Sequence, residues 1–437
     1  MSTEHSTPNA SPSTNRFDAI VVGAGPAGSS ASFTLARKGF KVLMIDRGRR
    51  AGTKNMYGGR VYSEPLEAIF PSLRKDAPVH RWVKAERLSF VSDEGLTSIE
   101  YRGGESKSFT TYLPELVNWM RAKAEEAGAL VATEVRVDRL VVEKEKVIGV
   151  QAGPDTVYAD TVIDAEGVNR LLLEGAWQMN VPRQEDLAIG LKETIKLDAE
   201  RVNQRFGLED EGMAWILLGS VTRYIPGGAF VYTNRDSVSI GLVLFLSHAV
   251  KRTNGHISRL LEDFRLHPKL KHLWRDGELL EYSAKLVPEY WRGFMPRRLS
   301  GAGLLVVGDA AGVLLNNGMT IRGVDLAAYS GYLAAETFTK AHAEGDFTSE
   351  MLSAYGRRVE ESFIGRELRK HNGLEYIRRN PHFFDQYPRL VNSGLGRIFN
   401  IGLESPTIWK ALRGAQKDVG PDAWTAIKDM YKIGRTL

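Results

Sequence analysis

The sequence of 437 residues contains no cysteine. A chain without cysteine cannot form disulfides, zinc–thiolate sites or a redox-active thiol pair, and it cannot bind an iron–sulfur cluster through thiolates of its own. We therefore predict no metal centre on this chain. Any electron chemistry must come from a bound organic cofactor or from a partner.

The sequence also lacks a long hydrophobic run. Its longest apolar stretch, Ile240–Leu246, is far shorter than the roughly 18 residues that a membrane span needs. Met1–Arg16 is rich in Ser, Thr, Asn and Pro, which indicates a disordered tail rather than a signal peptide. We therefore expect a protein that lies in the cytosol or on a membrane surface.

The charge of the chain is only mildly one-sided, with a net charge of +5. Such a value is typical of an ordinary solvated surface, and an anionic membrane or an acidic protein partner is the more specific alternative. We expect no nucleic-acid partner. At this length, two closely packed domains are the natural expectation.

The most informative stretch is Asp18-Ala-Ile-Val-Val-Gly-Ala-Gly-Pro-Ala-Gly28, followed by Val42-Leu-Met-Ile-Asp46. It predicts a buried strand, a glycine turn, a helix over Ser29–Lys38 and a second strand that ends in a carboxylate. In this pattern the first glycine permits a tight turn, the second lets the backbone approach a pyrophosphate, and the third lets helix and strand pack closely. Asp46 is placed to accept hydrogen bonds from a ribose. The sequence therefore predicts a dinucleotide site.

Two later segments indicate which dinucleotide binds. Leu304-Leu-Val-Val-Gly-Asp-Ala-Ala-Gly312 predicts a buried strand that ends at a Gly-Asp turn, where an acid could bond the ribityl hydroxyls of a flavin. Taken alone, Asp309 could instead be a helix N-cap. Together with Ala165-Glu-Gly167 and the N-terminal stretch, the set resembles the three spaced motifs of the FAD-dependent hydroxylase fold. Glu166 departs from the Asp-Gly pair usual in that family. We expect FAD as the cofactor.

Gly318-Met-Thr-Ile-Arg-Gly323 precedes a predicted helix over Gly323–Ala343. The resemblance places its backbone N–H groups near the flavin pyrimidine ring, where a helix dipole favours negative charge; a simple glycine-containing loop is the alternative. The basic run Asp46-Arg-Gly-Arg-Arg50 could suggest NADP. Because an acid at the strand end repels a 2′-phosphate, we do not favour NADP.

The predicted fold class is α/β, with a Rossmann-like FAD-binding domain, an inserted antiparallel-sheet substrate domain and a helical C-terminal region. Alternating segments such as Phe230–Thr233 and Ser237–Val243 mark the inserted sheet, and Leu113–Gly128 is predicted as an amphipathic helix. Short strands are predicted over Leu130–Val135, Arg136–Val142 and Val147–Val150. The predicted ranges are 1–16 for the tail, 17–186 with 300–345 for the FAD domain, 187–299 for the substrate domain and 346–437 for the helical region.

The chain resembles FixC-type proteins, which are relatives of electron-transfer flavoprotein:quinone oxidoreductase. The matching stretches are Ala51–Tyr62, Gly227–Val243, Leu305–Arg322 and Asn380-Pro-His-Phe-Phe-Asp-Gln-Tyr-Pro388. The resemblance implies a peripheral (monotopic) flavoprotein on the cytoplasmic side of the cell membrane. It would take electrons from the α/β electron-transfer flavoprotein and pass them to a quinone. It would act within a FixABCX-like complex, a type that includes electron-bifurcating assemblies. A separate small ferredoxin-like FixX-type subunit would hold the iron–sulfur cluster.

The same resemblance assigns Gly227 and Gly228 to the quinone carbonyl, with Phe230 and Tyr232 beside them. Adjacent glycines expose N–H groups without side chains, although a β-bulge or turn would use them too. No side chain is predicted as the catalytic acid or base. The residues expected to bind the cofactor are Gly23, Gly25, Pro26, Ala27, Gly28, Asp46, Arg47, Gly48, Asn55, Gly58, Gly59, Arg60, Val137, Ala165, Glu166, Gly167, Gly308, Asp309, Gly318, Met319, Thr320 and Ile321.

Three other functions share parts of this pattern. A geranylgeranyl (prenyl lipid) reductase has the same fold and cofactor but saturates lipid double bonds. A flavin monooxygenase would need a nicotinamide docking site, of which the sequence gives no sign. A binding protein of the GDP-dissociation-inhibitor kind keeps the fold without flavin and would have eroded motifs.

A membrane-facing edge is predicted at Tyr290-Trp-Arg-Gly-Phe-Met-Pro-Arg-Arg298, which mixes large apolar side chains with arginines. A hairpin packed on the protein itself, or on a partner, is the equal alternative for this segment.

Overall fold

In the computed structural model, residues 16–50, 52, 59–173, 183–288, 295–296, 298–317, 320–370 and 374–436 are described. Within them the chain forms two large sheets and one short strand pair. The strands, in chain order, are β1 Arg16–Val22, β2 Val42–Ile45, β3 Gly59–Tyr62, β4 Arg81–Val91, β5 Leu96–Arg102, β6 Ser108–Thr111, β7 Leu130–Ala132, β8 Arg139–Glu143, β9 Lys146–Ala152, β10 Asp155–Asp164, β11 Leu187–Lys196, β12 Gly212–Gly219, β13 Gly227–Thr233, β14 Ser237–Phe245, β15 Glu278–Pro288, β16 Ser300–Gly301, β17 Leu304–Val306, β18 Leu315–Asn316 and β19 Ile321–Arg322.

The helices alternate with these strands in the first half of the chain and dominate its last third. They are α1 Pro26–Arg37, α2 Glu64–Ile69, α3 Leu73–Asp76, α4 Leu113–Glu126, α5 Ala199–Phe206, α6 Leu246–Thr253, α7 Ser258–Arg265, α8 Val324–Glu344, α9 Ser349–Leu352, α10 Ala354–Glu361, α11 Phe363–Lys370, α12 Leu374–Arg379, α13 Gln386–Phe399, α14 Ile408–Val419 and α15 Ala423–Thr436. Among these described helices, none combines the length and the apolar character needed to cross a bilayer.

The first sheet has the strand order β16-β17-β10-β1-β2-β7, and β8 and β9 extend it from β10. Its strands β17, β10, β1 and β2 and the edge strand β7 run parallel, and β10, β1 and β2 are central. Such strands are buried on both faces, which explains the continuous apolar runs around Ile20 and Leu305. Helices α1 and α8 pack tightly together, since a Cβ on Gly331 would lie 2.0 Å from the Ala27 carbonyl oxygen. Because the strands are parallel, their carboxyl ends meet at one edge, where a ligand site is expected.

The second sheet has the order β15-β11-β14-β13-β12-β4-β6-β3, with β5 paired to β4. It is mostly antiparallel, apart from the parallel pair β12–β4. Strands β3 to β6 belong to this sheet although they lie within the range 17–186 predicted for the FAD domain. Their pairing is non-local, so hydrophobic patterning does not indicate to which sheet they belong. The boundaries between the predicted domains stay a prediction.

The predicted fold class is confirmed, with two sheets of the expected kinds and a helical C-terminal region. The predicted strand at Arg136 begins instead at Arg139, because Val135–Asp138 form a loop rather than a ladder. Two of the sequence predictions fall largely outside the described residues. One is the tail, of which only Arg16 is described. The other is the membrane-facing segment, in which only Met295, Pro296 and Arg298 are described.

Candidate functional site

Three glycines shape the turn between β1 and α1, and each has a different role. Gly23 has a φ of +105°, and a Cβ there would lie 2.4 Å from the Ala165 carbonyl oxygen. A Cβ on Gly28 would lie 1.9 Å from the Gly23 carbonyl oxygen. A Cβ on Gly25 would meet no protein atom within 4 Å, and Gly25 lines a cavity. Gly23 and Gly28 thus serve packing, whereas Gly25 leaves room for a ligand at the start of α1.

Asp46 stands at the carboxyl end of β2 and holds this turn together. Its carboxylate accepts hydrogen bonds from the backbone N–H of Ala24 at 2.8 Å and of Gly48 at 2.6 Å. Asp46 also lines the cavity. This is the position at which the fold places a hydrogen-bond acceptor for a ribose.

The cavity lies at the carboxyl ends of the parallel strands and has a volume of about 820 Å³. That size is suited to a large cofactor. It runs from the β1–α1 turn past the segment after β10 to the turn after β17. Of the residues predicted to bind the cofactor, its wall contains Gly23, Gly25, Pro26, Ala27, Asp46, Arg47, Arg60, Val137, Ala165, Glu166, Gly167, Gly308, Asp309 and Ile321.

Eight other predicted cofactor residues fall elsewhere. Gly28 is buried in the turn, and Gly48, Gly59 and Thr320 are described but do not line the cavity. Thr320 accepts or donates a 2.8 Å hydrogen bond with the Tyr62 hydroxyl. Asn55, Gly58, Gly318 and Met319 lie outside the described residues. The assignment of individual cofactor ligands therefore remains a prediction.

The second sheet contributes one wall that sequence reasoning missed. Ala284–Val287 of β15 line the cavity, and the Lys285 ammonium lies 3.3 Å from the Asp309 carboxylate. Lys285 thus places a positive charge beside the acid predicted to bind the ribityl chain. No local motif marks Lys285, because β15 reaches the cavity only through the pairing of the second sheet. Val135, Arg136, Asp138 and Asn169 were missed as well.

The segment after β10 carries a buried charge cluster. Burial and the negative charge of Glu166 raise the pKa of Asp164 well above its ordinary value, and burial also raises the pKa of Glu166. Burial lowers the pKa of Arg170 to about 10, although the nearby carboxylates oppose this. Glu166, the departure from the family pattern, accepts a 2.9 Å hydrogen bond from the Leu172 N–H. Its longer side chain therefore fixes the turn that follows Gly167 while still lining the cavity.

Arg60 connects the cavity to the second sheet. Its guanidinium donates to Ser108 Oγ and to Glu86 Oε2, each at 3.0 Å, and lies 4.8 Å from the centre of the Tyr62 ring. Burial raises the pKa of Tyr232 to about 12, while the Arg60 charge opposes that rise. Arg60 is thus held rigidly between the cofactor cavity and the face of the sheet that carries Tyr232.

The four residues predicted to bind quinone lie on β13 and do not line the cavity. Phe230 and Tyr232 point to the same face of the sheet as Lys285 of β15, and their rings stack at 4.9 Å. Gly227 has a φ of +140°, and a Cβ there would lie 2.2 Å from the Val243 carbonyl oxygen. A Cβ on Gly228 would meet only Leu218 Cδ2 at 3.3 Å and the Leu217 carbonyl oxygen at 3.4 Å. A side chain at position 227 would therefore strain the backbone and clash, whereas position 228 has room for a side chain.

Lys192 is a fully buried lysine on the same sheet face, between Gly241 of β14 and Ser283 of β15. Burial lowers its pKa from 10.5 to about 7, although the charge of Glu281 opposes this. Between these two pH values the unfolded chain binds more protons than the folded one. The free energy of unfolding should therefore rise with pH across that window, with a slope of at most about 1.4 kcal/mol per pH unit.

Replacing Lys192 by Met should remove this slope, which urea titrations at several pH values would measure. The exposed Lys271 gives a matched control, since Lys271→Met should leave the slope unchanged. A slope that persists in Lys192→Met would show that another group is responsible.

Known proteins are similar to this chain over nearly its whole length. The family described as FAD dependent oxidoreductase matches residues 18–221. The chain is 41% identical to the probable electron transfer flavoprotein-quinone oxidoreductase YdiS of Escherichia coli strain K12, over 93% of this chain and 96% of that protein. It is 34% identical to protein FixC of Azorhizobium caulinodans, over 96% of this chain and 98% of that protein.

Among solved structures, a geranylgeranyl bacteriochlorophyll reductase-like protein from Thermoplasma acidophilum is similar with a TM-score of 0.72. The match covers 95% of this chain and 99% of that one at 21% sequence identity. A flavin-dependent brominase, Bmp2, is similar with a TM-score of 0.61 at 18% identity, over 95% of this chain and 99% of that one. At such identities these likenesses show the fold alone.

Proposed function

Because this chain belongs to the FixC and electron transfer flavoprotein-quinone oxidoreductase family of FAD-dependent oxidoreductases, we propose that it passes electrons from an electron-transfer flavoprotein to a membrane quinone. The observation that carries the proposal is the 41% identity to a probable oxidoreductase of that name over 93% of the chain. FAD-dependent electron transfer itself is common to the family.

The cavity supports this proposal through the chemistry of its walls. The open space at Gly25, the N-terminus of α1 and the Asp46 carboxylate would hold the pyrophosphate and ribose of FAD. Asp309 and Lys285 would hold the ribityl chain and set the charge beside it. When bound, FAD supplies a carrier that can accept and release one or two electrons.

We propose that the residues on β13 form the quinone side of the site. Gly228, Phe230 and Tyr232 share the face of the second sheet whose edge strand walls the cofactor cavity. The stacked rings provide a flat apolar surface, and Gly228 carries no side chain that would keep a planar ring away. This arrangement would let the quinone ring lie next to the flavin while its tail stays in lipid.

The absence of cysteine defines the expected partners. Since the chain has no thiolate to bind a cluster, we propose that an iron–sulfur cluster, where one takes part, is carried by a small ferredoxin-like FixX-type subunit. The complete assembly would be a FixABCX-like complex, a type that includes electron-bifurcating assemblies, on the cytoplasmic side of the membrane. The purified chain should show flavin absorbance and no iron.

Rapid mixing of the purified chain with a reduced electron-transfer flavoprotein tests the proposed electron path. We expect the flavin of this chain to be reduced only in the presence of that partner, and then reoxidised by a soluble short-chain quinone. NADH alone should reduce it slowly or not at all. Fast reduction by NADH without a partner, or saturation of a prenyl double bond in place of quinone reduction, would contradict the proposal and favour a monooxygenase or a prenyl reductase.

A further inference from the structure

Helix α15 has its polarity reversed relative to an ordinary surface helix. Trp424, Ile427 and Tyr431, spaced three and four residues apart, lie on one side of the helix and are 75%, 60% and 65% exposed. Asp429, on the opposite side, is 1% exposed. An amphipathic helix of a water-soluble protein usually buries its apolar side and exposes its charges. Here the Asp429 carboxylate faces inward, whereas Trp424, Ile427 and Tyr431 face outward.

A cluster of polar groups holds Asp429 in place. Its carboxylate accepts hydrogen bonds from the Tyr376 hydroxyl, from Asn380 Nδ2 at 3.0 Å and from the Tyr387 hydroxyl at 2.6 Å, and lies 3.2 Å from His382 Nδ1. Burial raises the pKa of Asp429, but these hydrogen bonds outweigh burial and hold the pKa below its ordinary value. Asn380, His382 and Tyr387 belong to Asn380–Pro388, one of the stretches that resemble FixC-type proteins. That stretch therefore fixes the orientation of α15 and so the outward direction of its apolar side.

Helix α14 also exposes large apolar side chains. Ala411 and Ala415 are buried, and a Cβ on Gly394 of α13 would be in ordinary contact with α14, 3.4 Å from Leu412 Cδ2 and 3.8 Å from Ala415 Cβ. Trp409 and Leu412, on another side of α14, are 81% and 44% exposed. We call Trp409, Leu412, Trp424, Ile427 and Tyr431, which are exposed apolar side chains of these two consecutive helices, the C-terminal apolar surface. On α15 three of these side chains lie next to one another on one side of the helix, and such an exposed apolar patch marks an interaction surface.

The charges around the C-terminal apolar surface are predominantly positive. Lys410, Arg413, Lys417 and Lys428 are carried by the same two helices. Of the three acids in α14, α15 and the segment between them, two are paired or buried and Asp422 is exposed. The Asp418 carboxylate pairs with Arg397, Asp422 accepts from the Thr425 N–H and hydroxyl, and Asp429 is buried. Exposed tryptophan and tyrosine next to exposed lysine and arginine suit the headgroup region of an anionic bilayer, where rings insert and cations pair with phosphates.

We propose that the C-terminal apolar surface on α14 and α15 binds anionic lipid and holds this chain on the membrane. The inference rests on the proposed quinone reductase function and deepens it by naming the surface that meets the lipid. It places this surface in a different part of the chain from residues 290–298, the segment that the sequence suggested. The Asp429 cluster would keep α15 lying flat, with its apolar side toward the bilayer.

Vesicle co-sedimentation of the full-length holoprotein tests this proposal. The vesicles contain phosphatidylcholine with about one third phosphatidylglycerol and no quinone, so the result does not depend on the reaction. We expect the wild type to sediment with them, and less so at roughly 0.5 M salt, where charges are screened within a few Å. A Trp409→Ser, Trp424→Ser variant should bind at least about tenfold more weakly, a loss of only 1.4 kcal/mol.

An Ile99→Ser, Tyr101→Ser variant is the matched control. These side chains of β5 are 63% and 68% exposed but lie outside the surface, so their replacement should leave vesicle binding unchanged. Flavin content and reduction of a soluble quinone should stay normal in both variants. Equal vesicle binding by wild type and the tryptophan variant, or a tryptophan-dependent dimer or partner complex that hides the surface, would overturn the proposal. If the wild-type protein did not reduce a soluble quinone, that result would instead count against the proposed function.

Discussion

A Gly25→Val variant should fold normally and purify almost free of flavin. Gly25 has an ordinary φ of −75°, and a Cβ there would meet no protein atom within 4 Å, so the apoprotein should tolerate the side chain. The added methyl groups would instead occupy the space at the N-terminus of α1 that a pyrophosphate needs. We expect bound flavin to fall to less than about a tenth of the wild-type amount, since each 1.4 kcal/mol lost is a tenfold loss of affinity.

Absorbance at the flavin band, compared with protein concentration, measures this effect, and circular dichroism reports the fold. Gly104→Val is the matched control, because Gly104 is exposed, has no neighbour within 4 Å of a Cβ and lies away from the cavity.

Gly28→Val should behave differently from both Gly25→Val and Gly104→Val. The substitution would bring a side chain against the Gly23 carbonyl, so this variant should be destabilised and should not simply lose its flavin. A fully yellow Gly25→Val protein would mean that the pyrophosphate binds elsewhere.

The contrast between Gly25 and Gly28 illustrates what the sequence could predict. The spacing of the glycines and the acid at position 46 are set within one strand–helix–strand unit, so their arrangement follows from local geometry. Gly308 and Asp309 were recognisable for the same reason, because they directly follow a buried strand. FAD dependence, the fold class and the family were accordingly correct from sequence, and the comparisons confirm them.

Features that depend on non-local pairing could not be predicted in this way. Lys285 reaches Asp309 because β15 pairs with β11, and neither strand carries a signal for the other. The pairing of β4 with β12 joins residues more than a hundred positions apart, which is why the first domain range included strands of the second sheet. The inward orientation of Asp429 depends on four donors from earlier helices and turns. The sequence predicts a helical C-terminal region but does not indicate which side of α15 is buried.

A Gly228→Val variant should keep its flavin and lose most of its quinone reduction. Gly228 does not line the cofactor cavity, so the substitution should not affect FAD binding. Its new side chain would meet mainly the end of Leu218, which can shift, whereas the same change at Gly227 would strain the backbone. If the quinone ring approaches the backbone at this position, the added methyl groups keep it away. We expect the rate of quinone reduction to fall by about a hundredfold, which corresponds to roughly 2.7 kcal/mol.

The decisive comparison is between the two halves of the reaction in the same variant. Reduction of the bound flavin by dithionite or by a reduced electron-transfer flavoprotein should proceed as in the wild type, while reoxidation by a soluble quinone slows. Gly228→Ala should be intermediate, because one methyl group intrudes less than three carbons. Unchanged reoxidation in Gly228→Val would remove β13 from the quinone site. A change confined to quinone access should slow only the reoxidation of the flavin. Slowing of both half-reactions would instead indicate that the sheet has shifted toward the cofactor cavity.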